Sequence, residues 1–357
     1  MPTLMAVLLV PNAYDILGQA SPTVRFWAYF FGAMWGIGGL TFGLTMRYLG
    51  IALGMAVALG YTAIFGTLVP PLFHGTLGDT LTSVSGKYVL LGVLVSVFGI
   101  VVSGMAGMSK ERELTSEQKQ SAITEFRFGK GMLIATFSGI MSSCFAFGLD
   151  AGKPIIELSK SHLLSLGASD IWSGLPVLIV ILLGGMTTNF LWCVSLNIRN
   201  KSGGEYFGRS AVPAGGYGRE SVAEMSATEA VEPWNPNSSA SGGAVTAAAV
   251  QAPVSQARPL PLAANYAFAA LAGIIWCLQF FFYTMGQTKM GKAFEFSNWT
   301  LHMASIMIFS MLWGVALKEW AGTSKRTHGL IALGLALLIG STLIIGYGNF
   351  LSAHTAQ

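Results

Sequence analysis

The sequence predicts an all-α polytopic membrane protein, and both its composition and the spacing of its apolar runs lead to that fold class. Apolar residues make up 53% of the 357 positions, whereas Asp, Glu, Lys and Arg together make up only 10%. Soluble proteins average about 25% charged residues. A surface with so few charges could not keep this much apolar mass in water, and the mean hydropathy of +0.60 agrees.

An apolar run of about 17 to 25 residues can cross a bilayer as one helix. A shorter run over residues 1–10 ends at Pro11, and we interpret it as part of a helix whose beginning is missing. A secretory signal peptide is the alternative reading, but the basic start and clear small-residue cleavage site of such peptides are absent. Eight runs are long enough to span: 26–48, 52–69, 88–106, 132–150, 172–196, 266–285, 299–316 and 330–350.

Two segments between these runs are predicted to lie in water. Residues 109–130 are highly charged, and we expect a solvated loop with a short helix there. Residues 201–262 are rich in Gly, Ser, Ala and Pro and show no apolar periodicity, so they cannot bury enough surface to offset the entropy of ordering. We predict a disordered insertion, which is either a tolerated surface segment or a tether between two halves of the bundle.

The distribution of basic residues predicts the orientation in the membrane. Fourteen of the 20 Lys and Arg residues fall on the side that contains Arg47, the 109–130 loop and the 199–262 segment. Loops rich in Lys and Arg tend to stay in the cytoplasm. We therefore predict that both segments are cytoplasmic and that the C-terminus lies on the outer side.

The number of spans on each side of the charged loop predicts an internal repeat. Residues 1–107 hold three full spans and the partial one, and residues 131–357 hold five. Halves with an odd number of helices have opposite topologies, which is the inverted-repeat plan of many transporters. We expect an incomplete N-terminal half-bundle over 1–107, a cytoplasmic loop over 108–130 and a C-terminal five-helix half-bundle over 131–357 that carries the 201–262 insertion.

A local echo between the two halves supports the repeat. The pair Leu91-Gly92 in the third full span has a counterpart in Leu333-Gly334 in the last span. A second glycine follows each pair about two helical turns later, at Gly99 and Gly340. Because glycine-rich membrane helices often look alike by chance, this observation carries less weight than the number of spans.

Long ordered blocks in both halves carry a family resemblance. The blocks are 31–72 (FGAMWGIGGLTFGLTMRYLG and onward), 90–104 (LLGVLVSVFGIVVSG), 278–286 (LQFFFYTMG), 297–303 (SNWTLHM) and 314–320 (GVALKEW). They resemble the L-rhamnose–proton symporter family of the drug/metabolite transporter superfamily. The resemblance implies ten helices in two inverted five-helix halves, of which the first helix and part of the second are absent here. The chain also departs from the family in its loop after Trp192, which is longer than the family's usual connection.

The function implied by the resemblance is secondary active transport. The chain would take up L-rhamnose, or a related deoxysugar, by proton symport through alternating access across the bacterial inner membrane. The Lys and Arg distribution then places its C-terminus in the periplasm. A drug/metabolite-type transporter of another small metabolite is one alternative. A non-transporting membrane sensor or truncated fragment is the other, and the missing helix favours it.

Ionisable groups within or beside the spans are the candidates for proton coupling, because such groups are costly in a bilayer. Glu295 lies between two phenylalanines, whose contact would desolvate the carboxyl and favour its protonated form; an exposed loop acid is the alternative. His302 follows seven residues later, and histidine titrates near physiological pH; a structural hydrogen-bonded histidine is the alternative. Asp150 is a third candidate. Its spacing from Lys153 also allows a simple charge pair on one helix face.

Polar and aromatic residues within the spans are the candidates for sugar binding. Gln279 interrupts an apolar run, and an amide inside a bilayer needs a partner, either a sugar hydroxyl or a neighbouring helix. Trp276, Tyr283 and Trp35, with Phe280, offer rings for the apolar face of a sugar; packing or interfacial anchoring is the alternative for each. Asn189 could line the path.

Arg47, at the predicted cytoplasmic end of its span, is the remaining candidate. It is either a topology anchor or, with Lys153, a gating or charge-pairing residue.

Several function classes lack the motifs they require. The three cysteines have no CxxC spacing, so neither a zinc site nor a disulfide framework is supported. No Walker A loop, dinucleotide fingerprint, HExxH or GxSxG sequence occurs. We predict no enzyme, no metal, no cofactor and no nucleic-acid partner. The expected partners are L-rhamnose, a proton and the lipid bilayer; the sequence does not predict an oligomeric state.

Overall fold

The computed structural model describes residues 1–49, 51–113, 128–207, 261–290 and 297–355. These parts of the chain are helical and contain no β-strand, so the predicted all-α class is confirmed. Two short 3₁₀ helices, Asp170–Trp172 and Gly203–Phe207, accompany the α-helices. The α-helices are α1 (Pro2–Leu9), α2 (Ala13–Gln19), α3 (Pro22–Leu49), α4 (Ile51–Phe73), α5 (Leu77–Thr82), α6 (Val84–Glu113), α7 (Phe128–Ala151), α8 (Lys153–Ser165), α9 (Leu175–Asn200), α10 (Leu262–Gln287), α11 (Ser297–Ala316) and α12 (Lys325–Thr355).

Each of the eight predicted spans is a helix, and seven of the described helices are long and apolar enough to cross a membrane. The spans are Leu53–Phe73, Val84–Glu113, Phe128–Ala151, Asp170–Asn200, Leu262–Gln287, Ser297–Ala316 and Lys325–Ser352. The chain is therefore a multi-pass membrane protein. The eighth predicted span, 26–48, is α3, whose 28 residues would extend about 42 Å. Its glycine, threonine and aromatic residues lower the mean hydropathy of α3, so it is not among these seven helices.

The predicted water-exposed segments differ from the structure at their edges. Residues 109–113 continue α6 and 128–130 begin α7, because a helix continues through polar terminal turns that the apolar run does not mark. Residues 114–127 lie outside the described part of the chain. In the predicted insertion, 208–260 also lie outside it. Residues 203–207, however, form a 3₁₀ helix rather than a disordered segment.

Helices α6 and α12 pack against each other along most of their length in antiparallel orientation. Residue numbers rise along α6 as those of the contacting residues fall along α12. Three of the four echo glycines lie in this contact, whereas Gly340 does not, since a Cβ atom there would meet nothing within 4 Å. At Gly92 the same atom would lie 2.5 Å from Cγ1 of Ile345, so only glycine allows this approach. The contacting pairs are Val89 with Gly348, Gly92 with Ile345, Gly99 with Leu338 and Ser103 with Gly334.

Polar contacts fasten the end of α6 to the start of α12. The Glu113 carboxylate accepts from the backbone N–H of Ser324 at 2.7 Å and from the hydroxyls of Ser324 and Thr327 at 2.6 and 2.7 Å. Glu113 thus caps the first turn of α12, where backbone N–H groups have no partner in the helix. Nearby, the Lys110 ammonium lies 4.8 Å from the Trp320 ring centroid.

Small residues also join α3, α4 and α7. The Ser138 hydroxyl of α7 donates to the Gly38 carbonyl of α3 at 3.0 Å. The Thr62 hydroxyl of α4 donates to its own helix at Ala58 and, at 3.2 Å, to the Gly139 carbonyl of α7. These short side chains let the backbones approach closely, and the three helices together form one wall of the site described below.

The chain divides into two compact units. One contains Met1–Leu191 and Ile274–Gln357, and it holds the buried core and all the contacts above. The other contains Trp192–Gly273. Within this second unit the Tyr266 hydroxyl donates to the Tyr206 carbonyl at 2.6 Å, and the Asn197 amide donates to the Tyr206 hydroxyl at 3.3 Å.

The packing of α6 on α12 predicts a strong asymmetry between two glycine substitutions. Gly92→Leu forces a side chain into Ile345 and should destabilise the protein by about 1–3 kcal/mol, the usual cost of overpacking. Gly340→Leu, in the partner helix, enters open space and should leave stability unchanged or slightly raised, since leucine favours helix more than glycine does. Thermal unfolding of the purified protein in detergent measures both. Equal unfolding temperatures for the two variants would contradict the close approach.

Candidate functional site

A cavity of about 560 Å³ lies within the first unit, between α3, α4, α7, α9, α10 and α11. Its volume falls in the range of about 300–1,000 Å³ that small-molecule sites occupy. The described side chains that line it include no Asp, Glu, Lys or Arg. The lining residues are Trp35, Gly36, Gly39, Phe42, Leu59, Thr62, Ser142, Leu182, Gly185, Met186, Asn189, Trp276, Gln279, Phe280, Trp299, His302, Met303 and Ile306.

A pair of tryptophans forms one side of the cavity. The rings of Trp35 and Trp276 are stacked, with centroids 5.5 Å apart and an interplanar angle of 15°. Phe280 meets both edge-on, at 5.5 and 5.0 Å. Such flat, apolar surfaces suit the C–H face of a small ring, as rings of this kind bury area at little entropic cost.

Trp299 also lines the cavity. Its indole N–H donates to the Thr62 carbonyl at 2.9 Å, and its ring stacks on Phe145 with centroids 5.6 Å apart. Only 3% of Trp299 is exposed. Gly66 lies under the indole, and a Cβ atom at Gly66 would collide with it. The absence of a side chain at Gly66 therefore sets the position of the ring.

Three polar side chains that line the cavity have no hydrogen-bond partner among the described residues. These are the Gln279 amide, the His302 imidazole and the Ser142 hydroxyl. His302 instead touches rings, with centroids of Tyr283 at 4.9 Å and Trp299 at 5.5 Å. Asn189 donates its amide N–H to the Gly185 carbonyl at 2.8 Å, which orients its Oδ1 atom as an acceptor. A neutral ligand with hydroxyl groups could supply the missing partners.

Most of the predicted sugar-binding candidates meet at this cavity. Trp35, Trp276, Gln279 and Asn189 line it, although they come from three helices. Tyr283 does not line it; it lies behind His302 and is buried. The alternative reading of Gln279, a bond to a neighbouring helix, does not occur among the described residues.

The predicted proton-coupling candidates are distributed differently. His302 lines the cavity, and it is the one titratable side chain among the described lining residues. Asp150 is elsewhere, at the end of α7, where its carboxylate lies 2.8 Å from the Lys153 ammonium and 2.7 Å from Nε2 of His74. Glu295 lies outside the described residues. Arg47 is in the last turn of α3 and is not among the cavity residues.

Three residues at or near the candidate sites were not predicted from the sequence. His74 approaches Asp150 across 76 positions of the chain, a distance that no local pattern spans. Phe145 looks like any apolar residue of a span. Trp299 could have been found, because Trp299, His302, Met303 and Ile306 follow the i, i+3, i+4, i+7 spacing of one helix face.

The described residues offer no cluster of His, Cys, Asp and Glu that could hold a metal ion. The chemistry of the cavity is that of a binding site for a small, uncharged, partly apolar molecule. It has ring faces for contact, an amide and an amide oxygen for hydrogen bonds, and one imidazole that can carry a proton.

The packing under Trp299 predicts the effect of adding a methyl group. Gly66→Ala should displace the indole, break its hydrogen bond to Thr62 and destabilise the protein by about 1–3 kcal/mol. Gly60→Ala, two turns earlier in α4, meets only Ile100 at 4.0 Å and serves as the control. Thermal unfolding of the two purified variants measures the difference. A Gly66→Ala protein as stable as Gly60→Ala would contradict this packing.

Comparison with known proteins identifies the family. The model of the L-rhamnose-proton symport protein family (RhaT) matches residues 1–203 and 242–351. The L-rhamnose-proton symporters of Yersinia pestis (strain Pestoides F) and Yersinia pseudotuberculosis (serotype O:1b) are 31% identical to the chain over 350 residues. The alignment covers 98% of this chain and 85% of each relative. The L-rhamnose-proton symporter of Salmonella paratyphi B is 31% identical over 348 residues, with the same coverage.

No solved structure matches the chain. The relatives carry the names of symporters, which agrees with the prediction of a transport protein rather than an enzyme. The family match extends over most of the chain and through both predicted halves. The chain therefore belongs to the L-rhamnose–proton symporter family.

Proposed function

We propose that this protein takes up L-rhamnose by proton symport across the bacterial inner membrane. The observation that carries the proposal is the cavity, an aromatic-lined space into which an amide and an imidazole point without a partner in the described structure. The names of the relatives supply the sugar and the coupling ion.

A deoxysugar has the surface that this cavity would complement. Its hydroxyls bind amide groups, and its C–H face and methyl group prefer apolar contact. In the proposed complex the sugar ring lies against Trp276 and Trp35, its hydroxyls bond to Gln279 and to Oδ1 of Asn189, and Leu182 and Ile306 cover apolar atoms. The absence of charged side chains among the described lining residues favours a neutral substrate, since a buried charge without a counter-charge is costly.

His302 is the proposed proton carrier within the cavity. A neutral imidazole has one donor and one acceptor, whereas the protonated ring has two donors and no acceptor. An imidazolium in an apolar cavity is costly unless it is hydrogen-bonded, and a sugar hydroxyl oxygen beside it would lower that cost. Proton and sugar would thus each favour the binding of the other, and this reciprocal coupling is what symport requires.

The carboxylates of Glu295 and Asp150 are not the proton carrier within the cavity in this proposal. Glu295 remains the predicted first proton acceptor on the outer side, seven residues before His302 in the sequence. Asp150 is the less favoured choice, because Lys153 already compensates its charge and it is not among the lining residues.

We further propose that the bundle consists of two inverted halves, 1–107 and 131–357, that alternate access to the cavity. Equivalent helices of inverted repeats run in opposite directions, and the antiparallel contact of α6 with α12, which share the Leu-Gly echo, supports this reading. The excess of Lys and Arg supports cytoplasmic 109–130 and 199–262 segments and a periplasmic C-terminus.

Substrate binding is tested at Gln279. Gln279→Leu keeps the side-chain size but leaves a sugar hydroxyl without its partner, which costs roughly 1–3 kcal/mol. The KM for L-rhamnose uptake should rise about tenfold or more in cells that lack their own rhamnose transporter. Gln287→Leu, at the end of the same helix and away from the cavity, is the control and should leave KM unchanged. An unaltered KM in Gln279→Leu would exclude this amide from the sugar site.

Proton coupling is tested at His302. His302→Gln should abolish L-rhamnose accumulation driven by a proton gradient, so that the internal concentration only equals the external one, while sugar counterflow persists. His162→Gln on α8 is the matched control and should accumulate normally. Glu295→Gln in the same assay tests the predicted first acceptor. If His302→Gln still accumulates sugar against its gradient with alkalinisation of the medium, His302 does not carry the coupled proton.

A further inference from the structure

Helices α4 and α11 close upon each other at one end of the cavity. The Trp299 indole bonds to the Thr62 carbonyl, and the hydroxyls of Thr67 and Thr300 lie 2.7 Å apart. Thr67 and Thr300 are completely buried, and so is Ser297, the first residue of α11. The two helices therefore seal this end of the cavity with direct side-chain contacts.

Further along, the same two helices border the open space. Leu59 and Thr62 of α4 line the cavity, as do Met303 and Ile306 of α11. Among the described residues, the polar contacts between α4 and α11 lie at the first turn of α11, between residues 62–67 and 299–300. By the distribution of basic residues, this end of α11 faces the outside of the cell.

We propose that the contact of Gly66 and Thr67 with Trp299 and Thr300 is the outer gate of the transporter, closed in this structure, and that Trp299 links sugar binding to gate closure. The inference rests on the proposed function and adds to it the place where the sugar enters. Trp299 belongs to both the cavity and the gate, because its ring lines the cavity and its N–H donates across the gate to the Thr62 carbonyl.

The size of the contact distinguishes it from the rest of the bundle. The gate consists of two polar contacts and one indole ring seated on a glycine, joining a helix of the N-terminal half to a helix of the C-terminal half. Larger contacts also join the two halves. The α6–α12 contact extends from Val89 to Ser103 and is fastened by Glu113, and α7 of the C-terminal half packs closely on α3 and α4. Rocking of the halves would separate the small gate contact and turn about these larger ones.

A disulfide across the gate tests this directly. Thr67→Cys and Thr300→Cys are introduced together into a chain whose three native cysteines, Cys144, Cys193 and Cys277, are replaced by alanine. Oxidation with copper phenanthroline should cross-link the pair and lower the rate of L-rhamnose uptake at least tenfold, and dithiothreitol should restore it.

The matched control lies in the α6–α12 contact. The hydroxyls of Ser109 and Thr327 are also 2.7 Å apart, so Ser109→Cys with Thr327→Cys should cross-link equally well. Because this contact is expected to persist throughout transport, uptake should change by less than about twofold. Unchanged uptake in the oxidised gate pair, or failure of that pair to cross-link, would overturn the proposal.

A second measurement avoids dependence on the sugar and on the double variant. Thr67→Cys alone should react with a membrane-impermeant maleimide added outside intact cells, since the gate opens during transport although Thr67 is buried here. Val89→Cys, equally buried in the α6–α12 contact and near its outer end by the same topology, should not react. An unreactive Thr67→Cys overturns the gate. Absence of L-rhamnose uptake by the wild-type chain would instead refute the proposed function while leaving this labelling result to decide on the gate.

Discussion

A polar side chain inside a bilayer must find a hydrogen-bond partner within the protein or its ligand, because lipid tails offer none. Most serine and threonine side chains of this bundle meet the constraint locally, by donating to a carbonyl one turn earlier, as Thr136 and Ser305 do. Gln279 and His302 make no such hydrogen bond in the described part of the chain. Their polar atoms face the cavity, unlike those of Ser96 and Asn298, which are enclosed by protein without a partner. The candidate binding site is therefore the place where polar side chains face the cavity without a hydrogen-bond partner in the described protein.

The surrounding packing places those two side chains in a cavity lined by aromatic rings. Glycine and small residues bring α3, α4 and α7 close together, and larger side chains then project into the space bounded by α9, α10 and α11. Trp35, Trp276 and Phe280 fill part of the space that remains between these helices. The same device seats Trp299 on Gly66. Close approach and open cavity are thus two results of one distribution of side-chain sizes along the helices.

Much of the fold could be predicted because apolar length alone determines which segments are buried in a bilayer. All eight predicted spans are helices, and the errors lie at their ends, where polar turns of α6 and α12 continue the helix beyond the apolar run. The same reasoning identified Gln279 and His302, since a polar residue in an apolar run is visible in the sequence. Contacts between distant parts of the chain were not visible. His74 with Asp150 and Glu113 with Ser324 depend on which helices become neighbours, and apolar periodicity carries no such information.

The central claim is that a sugar supplies the partners missing at Gln279 and His302. The most direct measurement is an experimental structure of the purified protein with L-rhamnose bound at saturating concentration. The account predicts density for the sugar ring against Trp276 and Trp35, with hydroxyl oxygens within about 3.2 Å of the Gln279 amide and the His302 imidazole. A sugar bound elsewhere, for example beside Asp150 and His74, with Gln279 and His302 still unpaired, would contradict it.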